Sequence, residues 1–150
     1  MRIALWKSRA GLSLVEVLVS TSIILIAVIG ILLCYIKAIE LNAIGQGAVI
    51  ASHAVKSKIE EIKSTNFAQI YSTYNGATFT TAGLTGIGKI YVNNSSAHLL
   101  KVKIVFCWRM QGGRVIGDDK NLNGTADAGE HVDGNGEFSS YVQIITQIYG

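Results

Sequence analysis

The stretch that decides the fold is Gly11–Lys37, which reads GLSLVEVLVSTSIILIAVIGILLCYIK. From Val17 to Ile36 it holds twenty consecutive residues without a charged side chain. An α-helix rises about 1.5 Å per residue, so this run is about 30 Å long and matches the hydrocarbon core of a bilayer. The other residues of this 150-residue chain suffice for one modest domain. We therefore predict a membrane-spanning helix followed by a single small domain.

A short basic segment precedes the apolar run. Arg2, Lys7 and Arg9 lie before Gly11, and the positive-inside rule predicts a cytoplasmic N-terminus with the C-terminal bulk across the membrane. A secretory signal is cut after its apolar region, whereas the natural breakpoint here, Ala10-Gly11, comes before it. Removal of residues 1–11 leaves ten of the thirteen basic side chains, which balance the ten acidic ones. No basic patch is interleaved with aromatic residues, so specific nucleic-acid binding is not predicted.

The helical period continues beyond Lys37. Apolar residues recur at steps of three or four, while charged residues mostly lie on other faces, as in an amphipathic helix. We predict one helix over 12–64, with a transmembrane half at 12–36 and an amphipathic half at 37–64. Gly45 and Gly47 weaken it locally, by up to about 1 kcal/mol each. The apolar stripe consists of Leu41, Ile44, Ala48, Ala51, Val55, Ile59 and Ile62.

Residues 65–150 are predicted to form an extracytoplasmic β-domain. From Asn66 onward Gly, Ser, Thr, Asn and Tyr are frequent, which is typical of loops and short strands. The clearest strand is 98–110, where strict alternation predicts one buried face and one wetter face that carries Lys101 and Lys103. The predicted fold class is α+β, a long N-terminal helix packed on a small antiparallel sheet. The other predicted strands are 77–82, 88–92, 114–116 and 141–149.

Glu16 places a carboxylate at the edge of the predicted membrane helix, which costs several kcal/mol if the group is buried alone. Two interpretations are open. If the chain is cut after Gly11, Glu16 becomes the fifth residue of the mature chain and can pair with the new amino terminus at Leu12, in the same or a neighbouring subunit. Alternatively, Glu16 lies at the lipid–water interface and stabilises the helix N-terminus through the helix macrodipole.

The run Gly11-Leu12-Ser13-Leu14-Val15-Glu16, followed by apolar residues, resembles the class III leader of type IV pilins and type II secretion pseudopilins. The resemblance implies that a prepilin peptidase cuts after Gly11 and methylates Leu12, where the family most often has phenylalanine. It also implies that the inner membrane holds the subunit before assembly, and that its helix then packs with those of other pilins or pseudopilins in a filament core. The helix-then-sheet plan extends this pilin-like resemblance to the whole chain.

The C-terminal part resembles PilV-like minor pilins, through Cys107-Trp108-Arg109, an acidic stretch and a terminal strand. This resemblance implies a minor pilin of a type IV pilus. Two alternatives stay open: a minor pseudopilin of a type II secretion system, and a membrane-anchored calcium-binding module that does not polymerise. The chain has no nucleophile elbow, phosphate-binding glycine loop or zinc-spaced Cys/His set, so an enzyme is not predicted.

The acidic segment 118–137 contains a calcium-binding pattern. Asp119 to Glu130 fits D-x-[DN]-x-[DN]-G-x5-E at every specified position, with Gly124 at the sharp turn. The flanks are predicted strands, so this is an EF-hand-like loop without the helices of an EF-hand. Six acids and one lysine leave a net charge of −5, which favours a counter-ion over the alternative of a solvated acidic turn. The predicted Ca²⁺ ligands are Asp119, Asn121, Asn123, Thr125, Asp127 and Glu130, with Asp133, Asn135 and Glu137 as an additional, weaker set.

Overall fold

The structure, a computed structural model, describes residues 13–96 and 98–150. Its contacts divide the chain into two compact units, with the division between Leu41 and Asn42. The predicted α+β class is confirmed, because a long helix precedes a small antiparallel sheet on which its C-terminal half packs. The elements are α1 (Leu14–Ser64), α2 (Phe67–Tyr74), β1 (Thr78–Thr81), β2 (Leu84–Ser96), β3 (Leu99–Arg109), β4 (Val115–Ile116) and β5 (Val142–Tyr149).

Helix α1 is the long helix that the sequence predicts, and it ends at Ser64 as expected. Its predicted start at residue 12 lies outside the described residues. The large apolar side chains from Leu14 to Ile39 are exposed, whereas the C-terminal half buries one stripe. The predicted stripe was wrong at its start, since Leu41 is 67% exposed and the buried face begins at Gly47. The buried residues of α1 are Gly47, Ala51, Val55, Ile59 and Ile62.

Helix α2 is an element that the sequence analysis did not predict. Asn66 caps it, because its side-chain Oδ1 accepts a hydrogen bond from Ala68 N at 3.1 Å. The helix buries Ile70 in the core. The local Asn, Ser and Tyr content favours turns and strands, and nothing in it shows that Ile70 reaches the sheet.

The five strands form one antiparallel sheet with β3 at its centre. β2 pairs with one edge of β3 and carries β1 on its far side. β5 pairs with residues 99–106 of β3, and β4 pairs with Trp108 and Arg109. The predicted strands at 98–110, 114–116, 141–149 and 77–82 are therefore confirmed as β3, β4, β5 and β1, while 88–92 is the middle of the longer β2.

The main core lies between α1 and one face of the sheet. Apolar side chains of β3 at alternate positions meet the buried stripe of α1 and parts of β2, α2 and β5. Val142, Ile144 and Ile148 of β5 share this face, because alternate residues of a strand point to the same side. The β3 residues in this core are Leu100, Val102, Ile104, Phe106 and Trp108.

The second face of β3 is covered from Lys103 to Cys107, so the predicted wetter face is confirmed at Lys101 and wrong over this middle part of the strand. Val105 and Cys107 are buried and Lys103 is only 9% exposed. The cause is the long β4–β5 connection, which places the buried ring of Phe138 against Val105 and Cys107. This connection contains the predicted calcium loop, so the fold attaches the loop to the back of the sheet.

Candidate functional site

The N-terminal end of α1 carries the first set of predicted site residues. Gly11 and Leu12 lie outside the described residues. Ser13 precedes the helix, and its Oγ accepts a hydrogen bond from Glu16 N at 3.2 Å, while its carbonyl accepts one from Val17 N at 3.2 Å. Ser13 and Glu16 thus occupy the first and last positions of a capping box, S-x-x-E, a signal that the sequence analysis missed. Glu16 therefore sits in the first turn, where the helix dipole favours a carboxylate.

Among the described residues, α1 is the one helix long and apolar enough to cross a membrane, with a window of mean hydropathy 2.9. Within its first half, Thr21 Oγ1 donates to Val17 O at 2.9 Å and Ser22 Oγ to Leu18 O at 2.8 Å. These hydroxyls are therefore satisfied inside the helix, as an apolar surrounding requires. The apolar side chains around them are exposed, which is typical of a surface that lipid or other helices cover.

The predicted calcium loop folds around its first residue. Asp119 is 1% exposed, and its Oδ1 accepts hydrogen bonds from Leu122 N at 2.6 Å and Asn123 N at 3.2 Å. Its Oδ2 accepts one from Gly124 N at 2.7 Å. The left-handed backbone at Leu122 (φ 61°) and Gly124 (φ 74°) turns these amides inward. A buried carboxylate thus shapes the tight half of the loop.

Glu130 ties the end of the loop to its beginning. Its Oε1 accepts hydrogen bonds from Lys120 N at 2.9 Å and Asn121 N at 3.3 Å, and its Oε2 accepts one from Asp127 N at 3.1 Å. Lys120 Nζ donates to Gly129 O at 2.7 Å. The two ends of the twelve-residue pattern are therefore adjacent, as its calcium-binding geometry requires.

Asn121, Asn123 and Asp127 converge in the middle of the loop. Both side-chain amides donate to Asp127 Oδ2 at 2.7 Å, and these bonds, that of Asn121 foremost, hold the pKa of Asp127 below its usual range. Asn123 Oδ1 also accepts from Thr125 N and Thr125 Oγ1 at 2.7 Å each. Carboxylate and amide groups have the oxygen chemistry that Ca²⁺ prefers. The side-chain nitrogens of Asn121 and Asn123 thus face Asp127, while their oxygens accept hydrogen bonds from Asn123 N and from Thr125.

The described part of the chain contains no group of three or more His, Cys, Asp or Glu side chains placed to hold a metal ion. The loop residues form a hydrogen-bonded arrangement in which carboxylates bind backbone amides and side-chain amides. Oxygen donors of the kind that Ca²⁺ prefers follow one another along the chain in the order of the calcium pattern, and among the described residues no three acidic side chains surround a common point.

Asp133 and Glu137, two of the additional ligands that the sequence predicts, meet a lysine from the sheet. Lys103 Nζ lies 3.1 Å from Asp133 Oδ2 and 3.0 Å from Glu137 Oε2, and 5.8 Å from the ring centre of Tyr91. Asp133 Oδ1 accepts hydrogen bonds from Asn135 N and Glu137 N, both at 2.9 Å. We call Lys103, Asp133 and Glu137 the lysine cluster. Its ammonium group provides a positive charge between the two carboxylates.

Charges in the lysine cluster stabilise each other. Burial acts to lower the pKa of Lys103, but hydrogen bonds and attraction to Glu137 and Asp133 raise that pKa overall. The pKa of Asp133 is lowered, first by the Glu137 N–H and next by Lys103. Tyr91 adds a further contact, since its Oη accepts a hydrogen bond from Phe138 N at 3.1 Å. Strand alternation placed Lys103 on the outer face, but nothing in the sequence shows that residues 133–137 come to lie across it.

The comparisons with known proteins bear on the N-terminal end of the chain. Residues 6–32 match the family model described as the prokaryotic N-terminal methylation motif. No curated protein and no solved structure matches the chain significantly. The match supports a pilin or pseudopilin that prepilin peptidase processes and that its N-terminal helix anchors in a membrane.

Proposed function

We propose that this chain is a minor pilin-type subunit of a type IV pilus, cut after Gly11 and assembled through α1. The observation that carries the proposal is the joint occurrence of the methylation motif at residues 6–32 and the exposed apolar side chains from Leu14 to Ile39. Such a surface is costly in water and needs lipid or neighbouring helices. A type II secretion pseudopilin shares both features and is the alternative.

The proposed mechanism is assembly. Before assembly, the apolar half of α1 spans the inner membrane. The basic leader lies on its cytoplasmic side and the β-domain in the periplasm. Contacts between α1 helices then replace contacts with lipid as the subunit enters the filament. Glu16, at the edge of the apolar run, pairs with the free or methylated amine of Leu12 of a neighbouring subunit and so sets the register.

The decisive experiment is the intact mass of the membrane-extracted protein from cells with and without prepilin peptidase. Loss of residues 1–11 that depends on the peptidase is the expected result, and an added methyl group on Leu12 would show N-terminal methylation. A chain that keeps its leader in both strains would contradict the proposal. Deletion of the subunit then separates the two systems, since loss of pili with normal secretion favours the minor pilin and the reverse favours the pseudopilin.

We also propose that Ca²⁺ binds the loop from Asp119 to Glu130. What supports this is the order of the oxygen donors and the junction that Glu130 makes with the start of the loop. The ion would hold the loop in one conformation and strengthen its contact with the sheet. We assign no ion to Asp133 and Glu137, because Lys103 already supplies their positive charge. The predicted ligands are Asp119, Asn121, Asn123, Thr125, Asp127 and Glu130.

Thermal unfolding of the full chain in detergent, with chelator and with increasing Ca²⁺, tests this site. Calcium is expected to raise the melting temperature, because a ligand that binds only the folded state stabilises it. The variant Glu130→Gln should lose most of this rise, whereas Asp133→Asn, in the lysine cluster, should keep it. A melting temperature that Ca²⁺ leaves unchanged would contradict the proposal.

A further inference from the structure

Three asparagines of the β-domain are each followed directly by a glycine. Asparagine is among the chemically least durable residues, and a following glycine increases its reactivity. Glycine has no Cβ, so its backbone nitrogen is unhindered and its backbone reaches conformations that other residues avoid. The structure gives the three pairs different surroundings. They are Asn75-Gly76, Asn123-Gly124 and Asn135-Gly136.

The reaction open to such a pair is deamidation, with water as the other reactant. The glycine nitrogen forms a bond to the asparagine Cγ and loses its proton, while the Cγ–Nδ2 bond breaks and ammonia leaves. Water then opens the resulting succinimide ring at either carbonyl carbon, which gives aspartate or isoaspartate. One neutral amide thus becomes one carboxylate, with no change of oxidation state. The asparagine side chain must rotate toward the following nitrogen, so hydrogen bonds that hold either group slow the reaction.

The side-chain amide of Asn123 is held at both of its ends. Its Nδ2 donates to Asp127 Oδ2 at 2.7 Å, and its Oδ1 accepts from Thr125 N and Thr125 Oγ1 at 2.7 Å each. The attacking group, Gly124 N, donates to the buried carboxylate of Asp119 at 2.7 Å. Attack at Cγ requires these bonds to break together. The fold therefore protects Asn123 through hydrogen bonds that need no bound ion.

Asn75 is held by strand β2. Its Oδ1 accepts a hydrogen bond from Val92 N at 3.0 Å, and Gly76 N donates to Ile90 O at 2.9 Å. Ile90 N donates in turn to Ala77 O at 3.0 Å. Reaction at Asn75 therefore requires residues 75–77 to separate from a strand in the middle of the sheet, which costs more free energy than the opening of a surface turn.

Asn135 has neither kind of restraint. It lies in an exposed turn, and its side-chain amide makes no hydrogen bond within the described part of the chain. The bonds of the turn are local, since Asn135 N and Glu137 N donate to Asp133 Oδ1 and Gly136 N donates to Asp133 O, all at 2.9 Å. The side chain can therefore rotate without breaking a bond, and the opening of one turn releases the attacking nitrogen.

We infer that Asn135 is a site of spontaneous deamidation, which the folded chain converts to aspartate or isoaspartate while Asn75 and Asn123 stay intact. The surroundings also fit the product. Asn135 borders a cavity of about 170 Å³ on the outer face of the sheet, together with Lys101 and Lys103. Lys101 is exposed and makes no ion pair among the described residues, so its ammonium group is available to the new carboxylate. The conversion adds one negative charge beside the lysine cluster and does not depend on filament assembly.

The test follows the full chain in detergent at mildly alkaline pH, where the glycine nitrogen loses its proton more readily. A chelator is present, so that protection cannot come from an ion. Samples taken over days are digested, and mass spectrometry measures the replacement of NH₂ by OH in each of the three peptides. The peptide with Asn135 is expected to convert at least tenfold faster than those with Asn75 and Asn123. In guanidinium chloride all three should convert at similar rates, because unfolding removes the differences between them.

A variant of Asn135 checks the result on the intact protein. Asn135→Gln keeps the amide but lengthens the side chain, which disfavours ring closure, and should abolish the acidic form that isoelectric focusing detects in aged wild-type protein. Melting curves confirm that the variant and the aged samples are folded. An Asn135 peptide that stays intact in the folded chain would overturn the inference. Conversion of Asn75 or Asn123 in the folded chain at the rate of Asn135 would overturn it as well.

Discussion

Asp119 shows how a single residue organises the acidic loop. Its carboxylate is almost fully buried, and its two oxygens accept three backbone N–H groups, those of Leu122, Asn123 and Gly124. Hydrogen bonds from N–H groups to a carboxylate are stronger than bonds between neutral groups. The same residue is the first oxygen donor of the calcium pattern. Asp119 therefore has a structural role that does not require an ion.

Asp119→Ala is expected to destabilise the domain by about 2–3 kcal/mol, because it leaves three amide groups without their acceptor. Urea unfolding in the presence of a chelator measures this loss separately from ion binding. Asn121→Ala, in the same loop but exposed, should cost less than about 1 kcal/mol. Equal losses in the two variants would show that the buried carboxylate is not the organising group.

The lysine cluster predicts a pH dependence at both extremes. Asp133 has a lowered pKa, so its contribution to stability is present above 3.8, the ordinary pKa, and is lost as the pH falls through the folded-state value below that. Lys103 has a raised pKa, so its contribution is present below 10.5 and is lost as the pH rises through the folded-state value above that. Between these limits the cluster holds residues 133–137 on the sheet.

Lys103→Met should lower the melting temperature near neutral pH and flatten its decline below pH 3.8 and above pH 10.5. The physical reason is that methionine retains the buried stem but removes the ammonium group. Lys101→Met, on the same face of β3 but exposed, is the matched control and should keep the wild-type profile. Identical pH profiles for Lys103→Met and the wild type would refute the role of the cluster.

At the scale of elements, the contact between α1 and the sheet begins where Gly47 meets Trp108. A Cβ atom at Gly47 would lie 2.5 Å from Trp108 Nε1, so only glycine allows this approach. Trp108 is buried, and its Nε1 has no hydrogen-bond partner among the described residues. The close packing of α1 against the Trp108 ring therefore leaves the indole N–H without a hydrogen bond among the described residues. Gly45, two residues earlier, has nothing within 4 Å of its Cβ position.

This pair of glycines gives a prediction with an internal control. Gly45→Ala should stabilise the domain by about 0.5–1 kcal/mol, because alanine favours the helix and meets no neighbour. Gly47→Ala gains the same helix propensity but forces the rigid Trp108 ring or the helix to move, which costs about 1–3 kcal/mol. Chemical unfolding followed by tryptophan fluorescence measures both. If Gly47→Ala were as stable as Gly45→Ala, the contact would not be as tight as described.

At the scale of the whole molecule, the two halves of α1 have different surroundings. The first half presents exposed apolar side chains, whereas the second half forms the core with the sheet. The sheet domain contains its own core and the anchored loop, so its stability does not depend on Glu16. Changes at the N-terminal end of α1 should therefore affect assembly and leave the domain folded.

Glu16→Ala is expected to preserve membrane insertion and the melting temperature of the domain, while it reduces incorporation into filaments at least tenfold. Its carboxylate is the proposed partner of a neighbouring amino terminus, and alanine removes it. Sheared filaments, compared with the membrane fraction by immunoblotting, give the measurement. Ser13→Ala weakens the helix cap but keeps the carboxylate, so its incorporation should stay near normal. Normal incorporation of Glu16→Ala would contradict the register role.

Local features of the sequence predicted most of the elements. The uncharged run, the helical period up to Ser64 and the alternation in β3 depend on neighbouring residues, and the structure confirms them within the described residues. Helix α2 was not predicted, because the helical conformation of this segment depends on the burial of Ile70 against residues that are distant in the chain. The order of oxygen donors from Asp119 to Glu130 is a sequence feature, and calcium binding there stays a prediction.

The sequence alone determined the apolar membrane-length run, the leader motif and the α+β class, because periodicity and composition act over a few residues. Only the tertiary structure decided that the outer face of β3 is covered from Lys103 to Cys107 and that Lys103 meets Asp133, thirty positions away. It also decided that β5 forms an edge and that Gly47 lies against Trp108. These contacts join residues that are distant along the chain. Local sequence patterns do not determine how the chain brings such residues together.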